Sequence, residues 1–263
     1  MWAGSALLAS LRVQRRVVWA LLMREVITRF GRENLGVLWL IGEPMIFTLG
    51  VTALWSGAGF DHGSNLPIVA FAVTGYSSVL MWRNSVSRCC SGIQSNVSLL
   101  YHRNVRVIDV FITRILLEMG GATASFLVLA SFFVAIEWIA PPQDALMVVG
   151  GWLMLAWFGT ALSMLIGAAT VYSELVERLW HPSAYLLFPL SGAAFMVDWL
   201  PTEMQRLVLL LPMVHGVEIL REGYFGAAVR THYDVSYMAA INLVLTLAAL
   251  VVVRGASRRV GSL

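Results

Sequence analysis

His215, Glu218, Arg221 and Glu222 form the densest set of proton-carrying and charged side chains in the sequence, and their spacing of three and four residues places them along one face of a helix. On such a face Glu218 and Glu222 can pair with His215 and Arg221, which suits a structural or gating ion-pair network; a His–Glu dyad for acid–base catalysis is the rival reading. A metal centre is not expected, because there is no HExxH pattern and no other His or Cys at ligand spacing. Glu43, followed by Pro44, and Glu118 stand inside long apolar runs, where an ionised group costs about 2.5 kcal/mol or more and has to face a partner or water. Glu43 is expected beside a hydrophilic path, and Glu118 as a carboxyl bonded between helices. Pro44 removes a helix hydrogen bond and predicts a kink or a helix start nearby. Cys89 and Cys90 are adjacent, have no further Cys to join them, and are assigned no chemistry.

All 18 basic residues are Arg, and Lys is absent. A P-loop needs a lysine on the nucleotide phosphates and a Schiff base needs a lysine amine, so this chain hydrolyses no nucleotide by the first route and forms no imine by the second.

The elements that hold these residues are membrane helices. The 263 residues are 59% hydrophobic and only 13% charged, and the mean hydropathy of +0.76 exceeds what a soluble core requires. Apolar runs at Leu35–Leu54, Leu66–Trp82, Val110–Ile136, Ala145–Val171 and Val235–Val253 approach or exceed the roughly 20 residues that cross a bilayer as helix, and Ala184–Val197 is a shorter sixth. These runs are apolar on every side, which excludes the alternating pattern of an outer-membrane barrel. The N-terminal apolar stretch after Arg15 and Arg16 meets Arg24 with no small-residue cleavage site following, so it is not read as a removable signal. The expected fold is an all-α integral membrane protein of about six transmembrane helices in one domain covering residues 1–263.

Arginine placement orients the spans. Residues 1–33 and the link between spans two and three carry Arg and read as cytoplasmic; the links Gly57–Asn65 and Glu137–Asp144 carry none and read as periplasmic. Arg178 is placed on a short cytoplasmic turn between spans four and five. Residues 35–197 hold spans one to five, 235–253 the sixth, and 254–263 a cytoplasmic tail, so both termini lie inside. Residues 198–234 fall outside despite Arg206, Arg221 and Arg230, and read as a pair of short helices dipping into the membrane from the periplasm, with Leu207–Leu211 too short to span. The N-terminal segment reads as an amphipathic helix on the membrane surface, with Leu7, Leu11, Val18 and Leu22 on one face, although Arg15 interrupts it. Aromatic residues such as Trp39, Trp55, Tyr76, Trp82, Tyr185 and Trp199 cluster at span ends and faces; most fit an interfacial belt, and a subset suits a path for sugar rings.

Three motifs in order carry a resemblance. Leu22-Met-Arg-Glu-Val-Ile-Thr-Arg-Phe-Gly31 leads to Leu35-Gly-Val-Leu-Trp39 and Glu43-Pro44; Arg103, Val105 and Asp109 precede Thr113-Arg-Ile-Leu-Leu-Glu118; and Pro212-Met-Val-His-Gly-Val-Glu-Ile-Leu-Arg-Glu222 precedes the last span. Together they resemble the membrane subunit of ABC type-2 exporters, the KpsM family of capsular polysaccharide permeases and its O-antigen relative Wzm. Gly42 and Gly216 depart from the expected pattern, the latter at a point where it would loosen its helix. The resemblance implies an inner-membrane homodimer carrying lipid-linked polysaccharide from cytoplasm to periplasm, with two separate cytoplasmic ATPase subunits that use ATP and Mg. It implies no cofactor on this chain and no enzymatic activity of its own. A periplasmic co-polymerase or adaptor and an outer-membrane export protein are expected partners; nucleic acid is not. By position, Ser91, Gln94, Tyr101, Arg103 and Arg106 would couple to the ATPase. Arg24, Arg29, Arg32 and Arg83 would attract phosphate or acidic sugars, with Trp39, Glu43, Tyr76 and Trp82 along the path and His215 to Glu222 at the exit. The alternatives are an ion-coupled secondary transporter with Glu43 and Glu118 as relays, and an intramembrane lipid or sugar transferase built on His215 and Glu218.

Overall fold

The computed structural model describes residues 2–30, 36–57, 66–100 and 105–260, the side chains of 2–9, 29–30 and 36–37 excepted. Among the described residues the regular structure is helical: α1 (Trp2–Phe30), α2 (Gly36–Gly57), α3 (Ile68–Cys90), a short turn Gln94–Asn96, α4 (Val97–Leu100), α5 (Val107–Ala135), α6 (Ala145–Ala169), α7 (Glu174–Leu190), α8 (Thr202–Val208), α9 (Pro212–Phe225) and α10 (Val235–Val260). Local chemistry sets the boundaries. The Asp144 carboxylate accepts the Met147 amide at 3.0 Å to start α6, the Ser173 hydroxyl accepts the Leu175 amide at 3.2 Å to start α7, and Pro212 occupies the first turn of α9. Gly226, with φ of 55°, turns the chain out of α9 in a conformation that side chains resist.

Among the described residues four helices are long and apolar enough to cross a membrane: Leu38–Gly57 within α2, then α5, α6 and α10. α10 shows why, because Leu243, Val244, Leu247 and Val251 are exposed on it, an apolar face that water covers only at a cost. α3 is different. Its 23 residues suffice to span roughly 30 Å of hydrocarbon, yet it carries Thr74, Ser77, Ser78 and Ser85, and every residue from Ala70 to Trp82 is buried by protein. Thr74, Ser78 and Ser85 donate to carbonyls one turn back, at 2.7 to 2.8 Å, so their hydroxyls need no water. α3 packs against α2, α5, α6, α7 and α9 and is the axis of the bundle. Trp82, Met81, Leu129, Leu155, Phe158 and Leu220 form the core beside it.

α6 and α9 approach so closely that side chains are excluded between them. A Cβ on Gly151 would lie 2.7 Å from the Leu220 nitrogen, one on Gly216 2.5 Å from Leu155, and one on Gly223 2.6 Å from the Val148 nitrogen. Gly216 therefore does not loosen α9; it lets α9 seat on α6. Gly42 has no neighbour within 4 Å of such a Cβ.

The apolar run Ala184–Val197 is not a helix of its own. Glu174 and Glu177 favour the first turn of α7, which therefore begins ten residues before that run and places Arg178 inside the helix, not on a turn. The helix stops at Leu190, where Gly192 adopts φ of 85° and the chain folds back. The short pair at 198–234 is present as α8 and α9. α1 shows only part of the expected apolar face: Leu11 is exposed, while Val18 and Leu22 are half-buried together with Arg24.

Gly151→Val or Gly216→Val is expected to destabilise the protein by roughly 1–3 kcal/mol through overpacking, read as a lower thermal midpoint in detergent. Gly42→Val should leave the midpoint unchanged.

Candidate functional site

α2, α3 and α7 leave between them an open cleft of about 560 Å³ bordered by Glu43, Phe47, Arg83, Asn84, Tyr185 and Phe188. The Arg83 guanidinium lies over the Tyr185 ring at 4.7 Å and near Phe188 at 5.7 Å, so its charge is held on an aromatic wall, with no ion pair among the described residues. From there a column of rings follows α3. Tyr76 stands 5.2 Å from Phe188, 6.0 Å from Phe47 and 5.3 Å from Trp55; Trp55 leads to Phe71 at 6.2 Å, and Phe71 to Trp199 at 5.1 Å. The rings that border the cleft, Phe47, Tyr185 and Phe188, offer apolar faces for the C–H side of sugar rings, with the Arg83 cation beside them for an anionic group, while Tyr76 and Phe71 are buried behind them.

Beyond Arg83 along α3, arginines tie the helices together. Arg88 meets Glu118 of α5 at 3.4 Å and Glu43 of α2 at 3.7 Å, so the two acids inside the apolar runs converge on one guanidinium. Arg114 of α5 is buried. It pairs with Glu25 of α1 at 3.3 Å and donates to the hydroxyls of Ser91 at 3.1 Å and Ser95 at 2.7 Å, and to the Arg88 carbonyl. Arg24 donates to the Asn96 side chain at 2.7 Å, and Asn96 to the Gly92 carbonyl at 2.9 Å. Gln14 donates to Asp109, which also accepts the Arg106 amide. α1 is thus stitched to the end of α3, to the Gln94–Asn96 turn and to the start of α5. A groove of about 300 Å³ opens beside that turn, bordered by Gln94, Val97, Leu100, Thr170, Tyr172 and Val260.

At the opposite end of the bundle α9 carries its four polar residues, and the structure corrects their expected pairing. Arg221 donates to the carbonyls of Gly192, Ala193 and Phe195 at 2.6 to 2.7 Å, with Phe71 stacked 3.6 Å away. Glu218 accepts the amides of Val197 at 3.3 Å and His232 at 2.9 Å, and Glu222 accepts the Thr231 hydroxyl. His215 has its Nε2 on the Leu209 carbonyl at 2.8 Å and its Nδ1 on the Asp234 amide at 2.9 Å, an arrangement only the neutral Nε2–H tautomer satisfies. Each side chain binds the backbone or side chains of flanking segments, because the loops before and after α9 bring unpaired groups within reach. Tyr233, just beyond, has its pKa raised by burial and by the adjacent Glu222 carboxylate.

Of the residues singled out from sequence, Glu43, Tyr76 and Arg83 meet in or beside the aromatic cleft. Trp82 does not: it is fully buried and packs on Phe158 and Trp180. Trp39 is exposed away from the cleft, and Arg24 belongs to the α1 junction. Ser91, Gln94 and Arg106 lie on that junction's face, Gln94 and Arg106 exposed. Arg32, Tyr101 and Arg103, and the side chain of Arg29, lie outside the described residues. Sequence reasoning missed Arg88, Arg114, Glu25 and Asn96. Arg114 had a visible signal, since an arginine within an apolar helix requires partners.

Residues 16–225 match the family described as ABC-2 type transporter. The chain is 44% identical over 251 residues to the capsule polysaccharide export inner-membrane protein CtrC of Neisseria meningitidis serogroup B, covering 95% of each. It is 41% identical over 249 residues to the capsule polysaccharide export inner-membrane protein BexB of Haemophilus influenzae, covering 95% of this chain and 94% of that one. With the polysialic acid transport protein KpsM of Escherichia coli the identity is 27% over 242 residues, 88% of this chain and 90% of that one.

The Glu118 side chain is 9% exposed and that of Glu43 50%. Glu118→Gln should therefore cost about 1–3 kcal/mol and Glu43→Gln under about 1 kcal/mol, measured by reversible unfolding in detergent. Arg221→Met strands three buried carbonyls and should cost roughly 3 kcal/mol, with new protease cleavage near Gly192.

Proposed function

Because the chain belongs to the ABC-2 type transporter family, we propose that it is the permease subunit of an exporter that moves lipid-linked capsule polysaccharide from the cytoplasm to the periplasm. In this reading α3 and α7 join the four apolar helices to make six crossings, both termini are cytoplasmic, and two copies of the chain enclose the path. A separate pair of ATPase subunits, which use ATP and Mg, supplies the energy. A periplasmic adaptor or co-polymerase and an outer-membrane protein continue the route beyond α8 and α9. The names of the relatives support the cargo, and the absence of Lys supports an ATPase on another chain.

The observation that carries the proposal is the open cleft in which Phe47, Tyr185 and Phe188 stand beside Arg83. Glycan rings slide along apolar faces that hold them without specific bonds, while Arg83 meets an anionic group as the chain enters. ATP-driven movement of the partner subunits reaches the Gln94–Asn96 turn, and Arg114 passes it to α1, α3 and α5 together. Glu43 and Glu118 share Arg88, and both His215 nitrogens are engaged, so among the described residues the groups on which an ion-coupled transporter or a transferase would rest already have partners.

Affinity purification of the tagged chain from its own host should recover a P-loop ATPase in equal amount, with hydrolysis lost when that partner's P-loop lysine is changed. Arg83→Ala and Tyr185→Ala should each reduce surface polysaccharide about tenfold, the scale of roughly 1.4 kcal/mol, while ATPase recovery stays constant. Export unchanged in both variants would overturn the assignment of the cleft as the path, and recovery of the chain with no ATPase would overturn the exporter reading.

A further inference from the structure

A second cleft, of about 430 Å³, lies between the first turn of α5 and the last turns of α10, bordered by Val105, Arg106, Ile108, Leu250, Arg254 and Ser257 among others. It shares no residue with the aromatic cleft. Arg106 and Arg254 are exposed, and neither has an ion pair among the described residues. The nearby acid Asp109 is buried and already accepts from Gln14 and from the Arg106 amide. Ser257 adds a hydroxyl. From this polar end the surface becomes apolar along α10, where Leu247, Leu250 and Val251 are 56%, 45% and 72% exposed, as suits a face turned to acyl chains.

Two guanidiniums and a hydroxyl at the end of an apolar, lipid-facing cleft match one kind of occupant, an anionic headgroup with an acyl chain attached. Guanidinium meets phosphate through paired hydrogen bonds, and in a partly desolvated site that contact is stronger than at an open surface. We propose that this cleft binds an anionic phospholipid of the surrounding bilayer through its phosphodiester, clamping the start of α5 to the end of α10. The inference rests on the membrane placement of α5 and α10, not on the cargo. A protein that binds the lipid but exports nothing would sustain it while removing the proposed function.

The probe is phosphatidylglycerol, with phosphatidylcholine and inorganic phosphate as comparisons. Purified full-length protein should retain phosphatidylglycerol as a stoichiometric adduct in native mass spectrometry, and its thermal midpoint should rise with phosphatidylglycerol but not with either comparison. Arg106→Gln combined with Arg254→Gln should reduce retention about tenfold, and Arg258→Gln, a loss of one charge on α10 outside the cleft, should not. Equal stabilisation by phosphatidylcholine, or by phosphate alone, would overturn the proposal, as would equal lipid loss in the Arg258 variant. The midpoint comparison uses the unaltered protein, so a double variant that fails to fold leaves the test intact.

Discussion

A guanidinium withdrawn from water has to be met by oxygen, because an unpaired charge in a low-dielectric interior costs several kcal/mol. Two buried arginines, Arg114 and Arg221, impose that condition on the bundle, and a half-exposed third, Arg88, adds to it. Arg88 draws in carboxylates from α2 and α5, Arg114 gathers α1, the end of α3 and the turn after it, and Arg221 turns three carbonyls of the loop after α7 towards itself. Apolar packing alone leaves helices in lipid free to slide, since lipid tails are as apolar as leucine. These charged contacts set which helices meet and at what height, and the aromatic column is positioned as a result: Phe71, one of its members, is stacked on Arg221.

α3 unites the two sets of requirements. Its small hydroxyls bond to their own backbone and let neighbours approach, so a helix too polar to sit in lipid serves as the axis around which lipid-facing helices assemble. One side presents Trp82 to the core, and another presents Tyr76 and Arg83 to the cleft. Structural and functional residues are therefore interleaved on one helix, and residue type alone cannot separate them.

That interleaving explains how much was legible beforehand. The membrane class, the extents of α2, α5 and α6, the start of α10, and the short pair α8 and α9 follow from apolar length and from Pro212, which are local properties; α10 runs seven residues past the apolar run, from Val253 to Val260. The end of α7 does not, because it is set by Gly192 and by carbonyls drawn to Arg221, 29 residues away. Trp82 and Tyr76 differ by six positions and look equivalent as aromatics in an apolar run, yet one faces α6 and α7 and the other the cleft. Glu43 and Glu118 were visible as acids needing partners, but their partner was hidden because Arg88 reads equally well as an orientation signal. Spacing put His215, Glu218, Arg221 and Glu222 on one helix correctly. It could not show that the loops on either side would bind them first.

The glycine seam between α6 and α9 bears on what the molecule can do when it works. Backbones that touch with no side chain between them cannot shift relative to one another without collision, so α9 has no independent freedom and travels with α6 as one block. α2 is attached by an ion pair to Arg88 and by rings against rings, and it seats on α5 at a single glycine, Gly121 beside Leu40, against three in the α6–α9 seam. The molecule thus has a stiff half and a yielding half, and the width of the aromatic cleft is set by the helix that yields.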